Sequence, residues 1–189
     1  MVKQLTTVEL ETTLAALGAS PHNNGTVEMI VARPDNGERT VLPRAEFSTV
    51  DGLIGDNWRA RGSRHTDDGS AHPEMQIAIM NSRTIQAIAQ DRSSWPRAGD
   101  QLFLDLDLTA ENLPPGQRLA LGTAVLEITS VPHNGCQKFT ERFGGDATRF
   151  VNSREGRQLR RRGVNAKVVQ PGTIRVGDRV TKVGGNETG

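Results

Sequence analysis

The stretch "GDQLFLDLDL", residues 99–108, constrains the fold of this chain more than any other. Leu102, Leu104, Leu106 and Leu108 point one way along an extended backbone, and Phe103, Asp105 and Asp107 point the other. A period of two does not make a helical face; it predicts a strand with one face buried. Comparable segments recur. "TVEMIVARP" (26–34) is predicted as a strand with Val27, Met29 and Val31 on one face, and "MQIAIM" (75–80) as another. "QRLALGTAVLEITSV" (117–131) reads as one or two strands around Gly122, and "NAKVVQPGTIRVGDRVTKV" (165–183) as two short strands joined at Pro171-Gly172. "DNG" (35–37) ahead of "ERTVL" predicts a hairpin. Short strands with recurring turns favour a mainly β fold, a closed or nearly closed barrel with a few peripheral helices.

The helices are brief. Thr6 and Glu9 form a capping box, Leu10, Leu14 and Leu17 follow at helical spacing, and Gly18 ends the run. "SRTIQAIAQ" (82–90) is predicted as a helix with Ser82 as its N-cap. Residues 139–162 read as helical pieces broken at Gly144-Gly145 and at Gly156. The expected division is an N-terminal helix and connector over 1–25, a barrel over 26–183 and a flexible tail over 184–189. At 189 residues the chain can bury a sizeable core without disulfides or metals.

Lys and Arg total 23 against 22 Asp and Glu, so no bulk charge draws the chain to nucleic acid or a membrane. No run reaches the roughly 18 apolar residues of a membrane span. The N-terminus lacks the basic and then apolar pattern of a signal peptide. A cytoplasmic location is expected. The run "SREGRQLRRRG" (153–163) carries five arginines and raises the reading of a small barrel that binds nucleic acid. Neither interleaved aromatics nor a binding motif accompanies it, so a solvated helix face is the preferred reading.

The single cysteine, Cys136, lies in "VPHNGCQKFTERFG" (131–144), among polar neighbours and next to Gly135. Four readings compete: an inert free thiol of the kind commonly buried, a nucleophile with His133 as base, a zinc ligand, and a thiolate ligand or sulfur carrier for a soft metal centre. The four histidines His22, His65, His72 and His133 show no zinc-ligand spacing. If "KFTERF" begins a helix, its N-terminus together with Lys138 and Arg142 favours thiolate over thiol.

"GLIGD" (52–56), "AENL" (110–113), "LALGTAVLEITSVPHNGC" (119–136), "KFTERFG" (138–144) and "RGVNAKVVQPGTIRVGDRV" (162–180) occur in that order. The set resembles MOSC domains, the C-terminal domain type of molybdenum cofactor sulfurases, which also occurs as small stand-alone bacterial proteins. The resemblance covers roughly residues 26–183. It implies a β-barrel holding a molybdenum–pterin cofactor beside the cysteine. In some members that cysteine is thought to carry sulfur as a persulfide. In others it ligates molybdenum, and the protein reduces N-hydroxylated compounds with electrons from a partner.

The resemblance gives Cys136 the catalytic and metal-ligating role. Glu111, Asn112 and Leu113 match a G-E-N-L signature in which Ala110 replaces the glycine, and Gly55 and Asp56 match a G-L-x-G-D turn. Asp56, Glu111, Asn112, His65, His133, Lys138, Arg142 and Arg162 are thereby candidate cofactor-binding residues. Arg160 or Arg162 is a candidate for a pterin phosphate or an acidic redox partner. The reading requires Cys136, Asn112 and the 52–72 loop to line one pocket. One cysteine cannot hold an iron–sulfur cluster, and no glycine-rich dinucleotide turn follows a strand, so electrons are expected from a separate reductase. The alternative is a non-catalytic sulfur or cofactor carrier supplied by a sulfur donor.

Overall fold

The computed structural model describes residues 3–184. Apart from Gly184, the expected flexible tail lies outside the described residues. In chain order the elements are α1 (Thr7–Leu17), β1 (Gly25–Ala32), β2 (Thr40–Leu42), β3 (Arg44–Ser48), β4 (Gly52–Leu53), α2 (Trp58–Arg61), β5 (Ile77–Asn81), α3 (Ser82–Ala89) and β6 (Leu102–Asp105). They continue with β7 (Arg118–Leu121), β8 (Ala124–Ile128), α4 (Gln137–Phe143), α5 (Gly145–Asn152), α6 (Arg154–Gln158), β9 (Val164–Gln170), β10 (Gly172–Arg175) and β11 (Arg179–Val183).

Seven strands close a barrel in the order β1-β6-β5-β9-β8-β7-β11, and β11 returns to β1 through Gly25↔Val180 and Thr26↔Arg179. Closure removes the unpaired edges that an open sheet would expose. β2 pairs antiparallel with the last three residues of β1, from Ile30↔Leu42 to Ala32↔Thr40, forming the expected hairpin across residues 35–37. β10, β3 and β4 form a small separate sheet. The barrel strands pair antiparallel except β5 with β6, which run parallel. Their crossover is α3 followed by a 3-10 segment over Arg92–Ala98, and it delivers Gly99 and Asp100 to the start of β6.

The alternation of 99–108 is realised: Leu102, Leu104, Leu106 and Leu108 fill the barrel interior. Phe103, on the opposite face, is equally buried, in a second apolar cluster between barrel and helices. α1 reaches this layer through Leu10, α3 through Ile85 and Ile88, α4 through Phe139 and Phe143, and α5 through Phe150.

Four expectations need correction. Val27 faces the barrel interior, whereas Met29 and Val31 face the helices, because a bulge between Val27 and Met29 moves the following residues to the other face. The N-cap of α3 is Asn81, whose Oδ1 accepts from the Thr84 N–H at 2.9 Å, and Ser82 is already helical. Residues 165–183 hold three strands, since β10 leaves the barrel wall to pair with β3. Gly156 lies inside α6, packed so tightly that a Cβ would stand 2.3 Å from the Phe150 carbonyl oxygen. Among the described residues no helix is long and apolar enough to cross a membrane.

Candidate functional site

The chain between β8 and α4 carries His133, Asn134, Gly135 and Cys136 across one end of the barrel. Asn152, at the end of α5, fixes this turn. Its Oδ1 accepts from the Gly135 N–H and its Nδ2 donates to the Gly135 carbonyl, each at 2.9 Å. A Cβ at residue 135 would fall 3.0 Å from a Val151 methyl, so close contact with α5 favours glycine there. Cys136 follows as the residue preceding α4 and is exposed. That exposure removes burial as a ground for reading the thiol as inert.

Cys136 lines a cavity of about 180 Å³. Six cations share the lining: Arg33 from the end of β1, Arg39 from the hairpin, Arg61 from α2, Lys138 and Arg142 from α4, and Arg162 ahead of β9. Two of them are neutralised. Arg33 makes a bidentate pair with Asp56, with Nε to Oδ2 and Nη2 to Oδ1 both at 2.8 Å. Arg162 Nη1 donates to both oxygens of Asp100, at 2.9 and 2.7 Å. Among the described residues, Arg39, Arg61, Lys138 and Arg142 have no ion-paired carboxylate.

These cations crowd one another. A Cβ on Gly99 would lie 3.4 Å from Arg142 Nη1 and 3.5 Å from Arg39 Nη2, and the Gly99 carbonyl accepts from Arg33 Nη1. Burial, then the charges of Arg142 and Arg33, push the Arg39 pKa down; burial and Arg33 do the same for Arg61. Each is less comfortable as a cation than in water, a condition that an incoming anion relieves. Arg39 Nε and Asn57 Oδ1, both in the cavity lining, are buried without a hydrogen-bond partner. Buried polar atoms of native proteins are seldom left unpaired, and a ligand is one way to satisfy them.

Behind the thiol stands a buried triad. Asp100 accepts from Arg162 and lies 2.9 Å from His133 Nε2. Burial opposes its ionisation, but the Arg162 charge and the His133 contact outweigh burial and hold its pKa at about 2. Burial, then Arg162, lowers the His133 pKa against the pull of Asp100, so the imidazole is neutral. A neutral ring facing a carboxylate carries its proton on Nε2, which leaves Nδ1 as an acceptor.

The structure thus brings five of the nominated residues together: Cys136, His133, Lys138, Arg142 and Arg162. His133 contacts Asp100 by hydrogen bond, and Arg162 is committed to Asp100 and the Ala98 carbonyl. The 52–72 loop contributes Asn57 and Arg61 to the lining, and Asp56 acts one step back by holding Arg33. His65 is exposed on that loop and does not line the cavity.

Asn112 and Glu111 are not brought to the thiol. The Asn112 amide donates to the His22 and Asp107 carbonyls at 2.9 and 2.7 Å and accepts from Lys182 Nζ at 2.8 Å. Glu111 is exposed beside it. Of the three segments required to line one pocket, the thiol and the 52–72 loop meet and Asn112 does not, so a cofactor reading loses Asn112 and rests on Cys136, the loop and the surrounding cations alone. The arginine run divides: Arg154 and Arg157 on α6 are exposed, as a solvated helix face requires, whereas Arg161, paired with Glu11 and Glu155, and Arg162, paired with Asp100, are buried beyond the helix. Sequence reasoning missed Arg33, Arg39, Arg61, Asp100 and Asn152. The only local signal was an arginine beside a Gly-containing turn in "RPDNGER", "RARG" and "PRAGD".

Residues 66–181, more than half of the chain, match the MOSC domain family. The chain belongs to the MOSC domain family. No curated protein sequence matches it. Among solved structures this MOSC domain is similar to the YuaD protein of Bacillus subtilis, at 16% identity with a TM-score of 0.62 over 83% of this chain and 94% of that one. It is similar to YiiM of Geobacillus stearothermophilus at 15% identity and a TM-score of 0.59, over 85% of this chain and 75% of that one. For YiiM of Escherichia coli the values are 16% and 0.55, over 85% and 71%. At such identities the likeness is one of fold, and the MOSC site must be argued from its own residues.

The donor set fits a molybdenum–pterin group. An exposed thiol is the soft ligand such a metal takes. Four cations without carboxylate partners, together with an orphaned guanidinium nitrogen, suit a phosphate. The cavity is smaller than the roughly 300–1,000 Å³ common for ligand sites. Arg39, Arg61, Lys138 and Arg142 would hold the group's phosphate and Cys136 its metal.

Proposed function

We propose that this MOSC domain binds a molybdenum–pterin cofactor through Cys136 and the surrounding cations, and reduces N-hydroxylated compounds with electrons from a separate reductase. The observation that carries the reading is the exposed Cys136 thiol at a cavity where Arg39, Arg61, Lys138 and Arg142 lack ion-paired carboxylates. Arg39 and Arg142, converging at Gly99, are placed to grip a phosphate, with Arg61 and Lys138 adding charge. Cys136 supplies the sulfur ligand on a turn held rigid by Asn152. His133 presents an acceptor nitrogen at the wall, its ring orientation set by Asp100.

When bound, the group supplies a two-electron redox centre able to take an oxygen atom from nitrogen. The overall balance is R–NHOH plus two electrons and two protons, giving R–NH2 and water. The chain has one cysteine, too few for an iron–sulfur cluster, so the two electrons come from a separate reductase.

The test is elemental analysis and pterin fluorescence on protein made in a host that synthesises the cofactor, followed by turnover of a hydroxylamine with a reductase added. Stoichiometric molybdenum and amine formation are expected. Sulfane sulfur on Cys136 without molybdenum would overturn the reductase reading in favour of a sulfur carrier.

A further inference from the structure

A second cavity, of about 370 Å³, opens on the other side of His133 and Arg162, which line it and the thiol cavity alike. It is the larger of the two, and it does not contain Cys136. Its lining includes Arg157 and Arg160 but no Asp or Glu. Three valines, Val131, Val151 and Val164, supply apolar wall.

The arginines are held in unusual ways. Arg160 has φ 48, in the left-handed region that a non-glycine residue adopts at a cost of about 1–3 kcal/mol. Its Nη1 donates to the Leu108 and Leu113 carbonyls at 3.3 and 2.7 Å, which anchors the group without neutralising it. Burial lowers its pKa, as expected of a half-buried cation without a counterion. Arg157 is exposed and, among the described residues, has no ion-paired carboxylate. Arg162 is 5% exposed and its Nε is buried without a partner. The backbone turn is fixed by Gly163, at φ 110, where a Cβ would stand 2.0 Å from the Ile79 carbonyl oxygen.

We propose that this second cavity binds a small organic oxyanion, a carboxylate or phosphate head on an apolar body, with Arg157 and Arg160 on the head and the three valines against the body. Charge without acid in the lining selects the anion. The valine wall selects an apolar body over a bare inorganic ion. The bound molecule touches His133 and Arg162, the same side chains that back the thiol cavity. The assignment stands independently of what the thiol cavity holds.

The experiment is an amide-shift titration of the full chain with benzoate, phenyl phosphate and inorganic phosphate. Saturable shifts are expected at Ser130–Asn134 and Arg157–Val164, with an organic anion binding at least fivefold more tightly than inorganic phosphate. Arg157→Gln should weaken that binding at least threefold. Arg157→Gln with Arg160→Gln should weaken it tenfold or more, with the thermal midpoint checked for folding; if the double variant does not fold, Arg157→Gln alone decides. Shifts confined to Arg39, Gly99 and Cys136–Arg142 would overturn the proposal. Unchanged affinity in Arg157→Gln would do the same, as would inorganic phosphate binding as tightly as phenyl phosphate.

Discussion

Arg162 donates from a single guanidinium nitrogen to both carboxylate oxygens of Asp100, and neither side chain is appreciably exposed. Both residues stand just ahead of barrel strands, β6 and β9, which flank β5 on its two sides. The pair therefore ties together two chain segments that arrive from distant parts of the sequence. Removing one partner of such a pair strands a buried charge, at a cost of about 3–5 kcal/mol. Asp100→Asn should lower unfolding free energy by that order in urea at pH 7. Asp100→Leu with Arg162→Met should recover much of the loss, because an apolar pair of similar volume is often neutral or stabilising. A single variant as stable as the wild type would remove the pair from the account of the fold.

Acid should act on this triad in two stages. His133 has a lowered pKa in the folded state, so at pH values just below the ordinary histidine range the unfolded chain binds a proton that the folded chain does not. Its contribution is complete above about pH 6.5 and declines as the pH falls below that. Asp100, held at about 2 in the fold, contributes fully above its unfolded value and loses that contribution as pH falls from about 4 toward 2. Chemical denaturation across pH 2–8 should show both declines. His133→Gln should abolish the upper one and, by removing a contact that holds the Asp100 carboxyl down, move the lower one to higher pH.

Much of the barrel was legible because burial imposes a period of two. The leucines of 99–108 could face inward only as a strand, and they do. The bulge in β1 was not legible: it depends on a register shift against β6, and Glu28 at that point looks like any outward residue. In the site, Cys136, Lys138 and Arg142 were legible because they lie within one turn and one short helix. Arg33, Arg39 and Arg61 were not, since each resembles a surface arginine until closure of the barrel end gathers them. Asp100 was hidden for the opposite reason. A charge flanking a strand reads as exposed, and only the arrival of Arg162 and His133 makes its burial possible.

Asn112 illustrates how a motif match and a structural role can part. Its amide ties His22 and Asp107 to Lys182 on β11, joining the chain ahead of β1 to the end of the barrel. Asn112→Ala should cost about 1–3 kcal/mol, the usual range for leaving such groups unsatisfied. Phosphate or cofactor retention in the thiol cavity should be unchanged once the variant is folded. A loss of retention with no loss of stability would return Asn112 to the binding site.

Cys136→Ser separates chemistry from folding. The thiol is exposed, and its side chain makes no capping hydrogen bond to α4. Serine is a favoured N-cap, and its hydroxyl accepts from the free amides of the first turn, an effect worth about 0.5–2 kcal/mol relative to alanine. The variant should therefore melt at the wild-type temperature or slightly above it. A mostly protonated hydroxyl is a poor ligand for a soft metal and cannot form a persulfide. Bound molybdenum should fall at least tenfold and hydroxylamine reduction should disappear, while the oxyanion cavity beyond His133 keeps its affinity for benzoate. The measurements are metal content, turnover with added reductase and thermal midpoint on the same preparations. Equal metal and equal turnover in the serine variant would show that the cations alone hold the group, and that Cys136 has no part in the chemistry.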